Sequence, residues 1–560
     1  MVLFAARSAI ALYRLLDVLP VFAGDERVSR VFTLVPGSEF GVDALAAVER
    51  VGAHTVPWDE ACRTSYDLIV TASPKGEPHL LRGPRVLLPH GAGFSKTFHG
   101  EGGEGSAGEA SGLDPRYLVP DGGTPPALHA LAHPSQIDRL AALSPRAAAR
   151  ATVVGDPTLE RILASLPLRD RFRAALGTGA RRLVVLTSTW GEESLLRRRA
   201  TLPGELAARL PQDAYQLALI VHPNQWSRTG EFELSEQLAP ALDAGMILAR
   251  PHEDWASVLV AADALITDHG STALYYAAAL DGPILGAYDG GDELIPGSPM
   301  AELLAHAPHL DRSADLEEVL GSCRAGTGRA AATSAFAFTS PGQEGALERL
   351  RRELYRLLGL TPPAVPVAAR LLPVPAPPSR TPSAFAVRVR LDGDETHIER
   401  FPSHVDAPAH HLAAEYGAAG ERQLQSAGLL YRRTDRTATA PYSAGWTVAG
   451  WTSHALDSYP GCRTAAAVLS PTHCVVRVRG GSPLSVRIEP SRENGRIAHS
   501  DPAAVLSAVH ARLAVSGGQV CSETSRTAET ADIAVTCVIG GRRYDVRLSP
   551  ATAEETGRIL

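Results

Sequence analysis

Apolar runs of four or five residues recur along the first half of this chain, most stopped by Gly, Pro, Ser or Asp. Residues 2–5 read as a strand and 8–19 as a helix; 31–35, 54–58, 68–72 and 85–89 are further runs of the first kind. Such alternation predicts a parallel sheet covered by helices. The chain then turns Gly- and Glu-rich over 99–126, which predicts a surface loop. A short run at 152–154 leads through Gly155-Asp156-Pro157 into a helix at 159–166. A second series starts near Arg181, with strands expected at 183–187, 217–221, 246–249, 264–267 and 283–287. The strongly amphipathic stretch 344–358 is expected to close that unit. Two such series predict two Rossmann-like domains with an interdomain cleft, ligands lying beyond the carboxyl ends of the strands.

The pattern changes after residue 360. Residues 361–382 hold eight prolines and predict a stiff extended linker. Beyond it, runs come in pairs around glycine turns: 385–391 with 396–400, 474–479 with 484–488, and 533–539 with 544–548. These predict hairpins. Helices are expected at 410–419 and 502–514. The fold class read from the pattern is α/β, two Rossmann-like domains, plus a C-terminal α+β domain of repeated hairpin–helix units. The boundaries are 1–167, 168–360, a Pro-rich linker at 361–383, and 384–560.

A length of 560 residues suits about three domains. The net charge of −7 argues against a nucleic-acid partner working by bulk electrostatics. Lys75 and Lys96 are the only two lysines, so a lysine inside a motif stands out. None of the six cysteines forms a CxxC pair, and the histidines are scattered without carboxylate partners at ligand spacing, so no metal is expected. Four cysteines in the last hundred residues leave disulfides open there. The N-terminus is apolar before it is charged, unlike an export signal, and no run is long enough to span a bilayer. A cytoplasmic protein is expected, with peripheral association at the inner membrane face left open and the oligomeric state unassigned.

The candidate chemistry sits at the strand ends. The run 264–267 stops in Asp268-His269-Gly270-Ser271-Thr272, and an Ala-rich helical segment follows. A strand feeding a helix through such a turn can offer backbone amides and hydroxyls to an anion; an ordinary N-cap is the competing reading. His90-Gly91 with Ser95 and Lys96 follows the run at 85–89, placing an imidazole able to take a proton, and a cation, near a cleft. Ser188-Thr189-Trp190-Gly191 ends the run at 183–187 and suits a phosphate and a base or sugar face. His222-Pro223-Asn224 ends the run at 217–221. His252 and Glu253 read as polar caps. Alternating Arg388, Arg390, Arg477, Arg479 and Arg487 give the last domain a basic sheet face, read as solvated, with a polyanion as the alternative.

Taken in order, these motifs resemble the CDP-glycerol glycerophosphotransferases of wall teichoic acid synthesis, over residues 1–345 and best over 180–290. The resemblance implies a GT-B-type transferase, 1–167 being the acceptor side and 168–360 the nucleotide-donor domain. It implies His90 as general base and His222 as the second catalytic histidine, in contact with the donor's diphosphate. Asp268, Gly270, Ser271, Thr272, Thr189, Trp190 and Asn224 would bind the donor, and Gly91, Ser95 and Lys96 the acceptor or a phosphate. The donor would be a nucleotide-diphospho compound such as CDP-glycerol, used as substrate with no separate cofactor. The acceptor would be a hydroxyl of a cell-envelope polymer or glycan. Three positions depart from the family pattern: Gly191 stands for an arginine, His269 for an aromatic, and Leu274-Tyr275-Tyr276-Ala277 carries no acidic residue. The alternatives are a catalytically silent nucleotide-binding scaffold and a UDP-N-acetylglucosamine 2-epimerase-like enzyme.

Overall fold

The computed structural model describes residues 1–37, 48–50, 52–89, 91–92, 94–97, 115–119, 124–251, 254–323, 326–337, 344–403, 409–434, 445–515 and 533–560. Its first lobe is built on a six-stranded parallel sheet in the order β2-β1-β3-β4-β5-β6. The strands are β1 Val2–Ala6, β2 Arg30–Leu34, β3 Leu68–Thr71, β4 Arg85–Leu87, β5 Leu128–Leu131 and β6 Ala151–Val153. The strand expected at 54–58 does not form. Thr55 makes one isolated bridge to Phe32, and Pro57, which has no amide to give a ladder, stands at the start of the helix Trp58–Arg63. β5 lies beyond the Gly-rich stretch and was not anticipated; much of that predicted loop, residues 98–114 and 120–123, falls outside the described residues.

The second lobe holds a five-stranded parallel sheet, β11-β10-β7-β8-β9. Its members are β7 Arg182–Ser188, β8 Tyr215–Val221, β9 Ile247–Leu248, β10 Ala264–Thr267 and β11 Ile284–Gly286. Four helices matter for the cleft: α1 Ala9–Val18, α2 Pro157–Ser165, α3 Asp254–Ala261 and α4 Thr272–Ala279. α1 and α2 start where sequence chemistry says they should, with Ser8 accepting from the Ala11 amide and Asp156 from that of Leu159. The amphipathic helix α5, Ala346–Leu358, corrects an expectation. Its buried stripe of Leu347, Leu350 and Leu354 completes the core of the first lobe, alongside Phe4, Leu12 and Leu15. The chain crosses to the second lobe and returns, so the two lobes are stitched twice.

The Pro-rich segment is extended as expected, yet it is a strap tied to both lobes. Arg351 donates to Val365 O at 2.6 Å and Arg161 to Arg370 O at 2.8 Å on the first-lobe side. Ser257 of α3 donates to Pro373 O at 2.6 Å, and Arg380 pairs with Asp243 at 2.6 Å, on the second. Leu372, at the crossing point, joins the second lobe's core.

The last domain is a closed mixed barrel, not a chain of repeated units. Its strands are β12 Ala384–Asp392, β13 Glu395–Pro402, β14 His411–Glu415, β15 Leu429–Arg433, β16 Thr464–Ser470, β17 His473–Val478 and β18 Leu484–Ile488, then, after a small hairpin (β19 Ser491–Glu493, β20 Arg496–Ala498), β21 Ile533–Ile539 and β22 Arg542–Pro550. They close in the order β12-β13-β21-β22-β18-β17-β16-β15-β14. The three expected hairpins are present. The segment expected as a helix at 410–419 is instead β14. Helix α6, Pro502–Val515, is apolar on most sides, and Val505, Leu506 and Val509 share one core with Val387, Val476, Val486 and Val546 of the strands. The barrel docks at the amino ends of the second sheet's strands: Arg400 binds Asp213, two residues before β8, at 2.7 Å. Cys62, Cys323, Cys462, Cys474 and Cys537 carry free thiols; Cys521 is outside the described residues. Among the described residues no helix is long and apolar enough to cross a membrane.

Candidate functional site

Both parallel sheets point their carboxyl ends at one cleft of about 290 Å³. The first lobe supplies Arg7 and Ser8 after β1, Ser73 and Lys75 after β3, and Gly91, Ala92, Phe94, Ser95 and Lys96 after β4. The second supplies Thr187–Trp190, His222–Asn224, Ala249–Pro251 and Asp268–Thr272, from the ends of β7, β8, β9 and β10. Eleven residues anticipated as site residues line it together: His222, Asp268, Gly270, Ser271, Thr272, Thr189, Trp190, Asn224, Gly91, Ser95 and Lys96. His90 lies outside the described residues, as do His252 and Glu253.

The turn after β10 is organised by Asp268. Its carboxylate is fully buried and accepts from the amides of Thr189 at 2.7 Å, Leu195 at 2.9 Å and Gly270 at 2.9 Å. Burial pushes its pKa up, against the pull of neighbouring His269 and the three amides. Asp268 is thus committed to joining the β7 and β10 turns and is not presented as an acid or base. Ser271 stands at the N-cap of α4 and makes no side-chain capping bond. The amides of Ala273 and Leu274 bond back to Gly270 and Ser271. Ser271 and Thr272, at the positive end of α4, line the cleft opposite Gly91 of the facing lobe, where a Cβ would come 3.7 Å from Ser271 Oγ.

His222 caps the helix Pro223–Thr229 by accepting the Asn224 amide at Nδ1, 3.2 Å away. A neutral imidazole accepting at Nδ1 carries its proton on Nε2. In that tautomer Nε2 is a hydrogen-bond donor. Its ring lies 6.1 Å from that of Trp190, and Trp190 in turn sits beneath Arg228, whose guanidinium is 4.5 Å from the ring centre. Ser188 turns inward, its hydroxyl accepting from Leu196 N. Ser95 is buried with a hydroxyl that has no hydrogen-bond partner among the described residues.

Glu293, Arg14 and Asp17 carried no signal in the sequence as site residues. Lys96 reaches across from the first lobe to Glu293 Oε2 at 2.6 Å and donates to Trp190 O at 2.8 Å. His269, buried, lies between Tyr288 Oη and Glu293 Oε2, 3.2 Å from each. Burial raises the pKa of Glu293, but His269 and Lys96 outweigh it, and the carboxyl is held below its usual range. At the cleft floor Tyr275 of α4 donates to Asp156 at 2.8 Å, and Arg14 lies 3.7 Å from the same carboxylate. Asp17, the other acid on the cleft wall, is held by Arg161 at 2.9 Å and by Thr158. The basic sheet face of the barrel is neutralised within the chain: Arg388 pairs with Glu399, Arg390 with Asp392 and Arg487 with Glu555, while Arg477 and Arg479 donate to backbone carbonyls. Among the described residues no barrel residue lines the cleft; the strap contributes Leu372.

Neither any protein-family model nor any curated protein sequence matches this chain. Among solved structures it is similar to the wall teichoic acid polymerase TagF at 13% identity, with a TM-score of 0.45 over 64% of this chain and 89% of that one. It is also similar to Anabaena Alr3699/HepE in complex with UDP and glucose, at 14% identity and a TM-score of 0.39 over 64% and 99% of the two chains.

Proposed function

We propose that this protein is a transferase of the GT-B type. It moves a glycerophosphate, another polyol-phosphate or a sugar from a nucleotide-diphospho donor to a hydroxyl acceptor of a cell-envelope polymer or glycan. The observation that carries this reading is the first turn of α4. Ser271 and Thr272 line the cleft with no capping role for Ser271, while Asp268 is spent on holding the turn in place. That is a preorganised cradle for an anion, able to stabilise the charge that builds on a departing nucleotide.

His222, in its Nε2–H form, donates to the donor's diphosphate. Trp190 offers a face to the nucleoside, and Lys96 supplies a point charge. His90 takes the proton of the acceptor hydroxyl as its oxygen attacks; the bond to the leaving nucleotide breaks, and the nucleotide departs with the electron pair. With CDP-glycerol the products are a glycerophosphorylated acceptor and CMP. Epimerisation is disfavoured because both acids of the cleft wall, Asp17 and Asp268, are bound up in structural hydrogen bonds.

The test is a donor panel with purified protein and a hydroxyl acceptor, reading nucleotide release. Release that depends on acceptor marks the transferase; binding without release marks a silent nucleotide-binding scaffold. A donor at 100 times its dissociation constant stabilises the fold by about 2.7 kcal/mol, so thermal shift selects the donors to assay. His90→Ala and His222→Ala are each expected to lower turnover by about 10²-fold or more with an unchanged circular dichroism spectrum. Full activity in both variants overturns the assignment.

A further inference from the structure

Glu293 does not line the cleft, yet it stands behind a residue that does. It lies in the loop after β11, and that loop forms a two-bond antiparallel bridge with the loop after β4 of the opposite lobe. Thr97 N donates to Glu293 O at 2.9 Å, and Ile295 N donates to Ser95 O at 2.9 Å. Between those bonds the Lys96 ammonium meets the Glu293 carboxylate at 2.6 Å, with both side chains about six-sevenths buried. His269 and Tyr288 back the carboxylate from the far side. Gly191, whose φ of +95° favours glycine, runs beside the pair: a Cβ there would sit in ordinary contact, 3.4 Å from Glu293 Oε1 and 3.9 Å from Lys96 Nζ. A lysine on a flexible four-carbon stem has many rotamers to lose; a carboxylate fixed behind it removes that freedom before any ligand arrives.

We propose that Glu293 is a positioning residue: it holds Lys96 of the first lobe at the anion cradle of the second, so that the cradle is complete only while the two lobes are bridged. This rests on reading the cleft as a nucleotide-diphosphate site. An ordinary structural ion pair would hold the loops together and leave ligand affinity indifferent to which partner is removed. A positioning residue acts through Lys96 alone, so its effect disappears once Lys96 is gone.

The experiment is isothermal titration of the full chain with CDP and UDP, for the wild type, Lys96→Ala, Glu293→Ala, Glu293→Gln and the Lys96→Ala/Glu293→Ala double variant. Each single alanine is expected to weaken the tighter-binding nucleotide by about 10- to 100-fold, the range for one charge-assisted hydrogen bond. In the Lys96→Ala background, Glu293→Ala is expected to add less than about twofold. Glu293→Gln keeps an acceptor oxygen for Lys96 and the side-chain volume, and is expected to stay within about threefold of wild type. An unchanged affinity in Glu293→Ala overturns the proposal. So does a loss of the same size with and without Lys96, or a Glu293→Gln as weak as Glu293→Ala. A wild-type protein that binds neither nucleotide overturns the underlying reading of the cleft, an outcome distinct from these.

Discussion

Removing the Asp268 carboxylate tests whether the anion cradle is held by one buried charge. Three amides, those of Thr189, Leu195 and Gly270, converge on it at 2.7–2.9 Å in a fully buried setting. Asp268→Ala strands all three donors. A buried donor left unpaired costs about 1–3 kcal/mol, so the substitution is expected to cost about 4–6 kcal/mol locally, allowing for partial relaxation. Asp268→Asn is the sharper probe, because Oδ2 serves two amides and Oδ1 serves one. Whichever way the amide is turned, its NH₂ faces at least one N–H. The better orientation keeps two bonds and sets one donor against another, a cost of about 2 kcal/mol.

A chain with two lobes and a barrel does not unfold in one step, so a single melting temperature is the wrong observable. Amide hydrogen exchange resolved at Thr189, Leu195 and Gly270 is the right one. The Asn variant is expected to speed exchange at these amides by about 30-fold and the Ala variant by far more, with nucleotide affinity falling in parallel because the turn that presents Ser271 and Thr272 has loosened. Wild-type protection at all three amides in Asp268→Asn would refute the reasoning.

Three further outcomes follow from the packing. Arg400→Met leaves the buried Asp213 carboxylate without its ion-pair partner, while Asp501 keeps Arg433 at 2.7 Å, and is expected to cost about 3 kcal/mol, read as earlier proteolytic release of the barrel from the second lobe. The rings of His411 and His510 lie 4.5 Å apart, tilted at 59°, in the barrel, and burial, with help from His410, His510 and Arg463, pushes their pKa values down to about 3 and about 4. Groups depressed below their unfolded values leave stability whole above pH 6.5 and withdraw it as pH falls toward 4, so barrel amides are expected to lose protection over that window, and His411→Phe to flatten the loss. Finally, the amides of Thr97 and Ile295, which bridge the lobes at the cleft mouth, are expected to exchange together and faster than that of Leu372, which donates to Ser165 Oγ inside the strap; equal rates would mean the lobes part as one unit.

Much of the site was legible in the sequence because strand ends announce themselves. An apolar run cut off by Asp-His-Gly-Ser-Thr or by His-Pro-Asn can only deliver those side chains to the carboxyl edge of a parallel sheet, and all parallel edges of one lobe face the same way. The barrel was not legible in the same manner. His411–Glu415, expected within a helix, is a strand because its neighbours offer a ladder and a core. The amphipathicity of Ala346–Leu358 said that one face is buried, without saying in which lobe. Glu293 sits in a Gly-Asp-Glu stretch with no periodicity, and only the opposing loop gives it a role.

The positions of strap and barrel restrict what the last third of the chain can do to the chemistry. The barrel touches the second lobe at the amino ends of its strands, the edge opposite the cleft, and among the described residues no side chain of its own lines the cleft. The strap does reach it, through Leu372, and it does so at the crossing between α2 and α3, where Arg161 and Ser257 grip it from opposite lobes. Any relative movement of the lobes must therefore move the strap, while the barrel rides with the second lobe through Arg400. The cleft mouth is closed by a bridge of two backbone bonds and one ion pair, and its floor by the buried Tyr275–Asp156 contact.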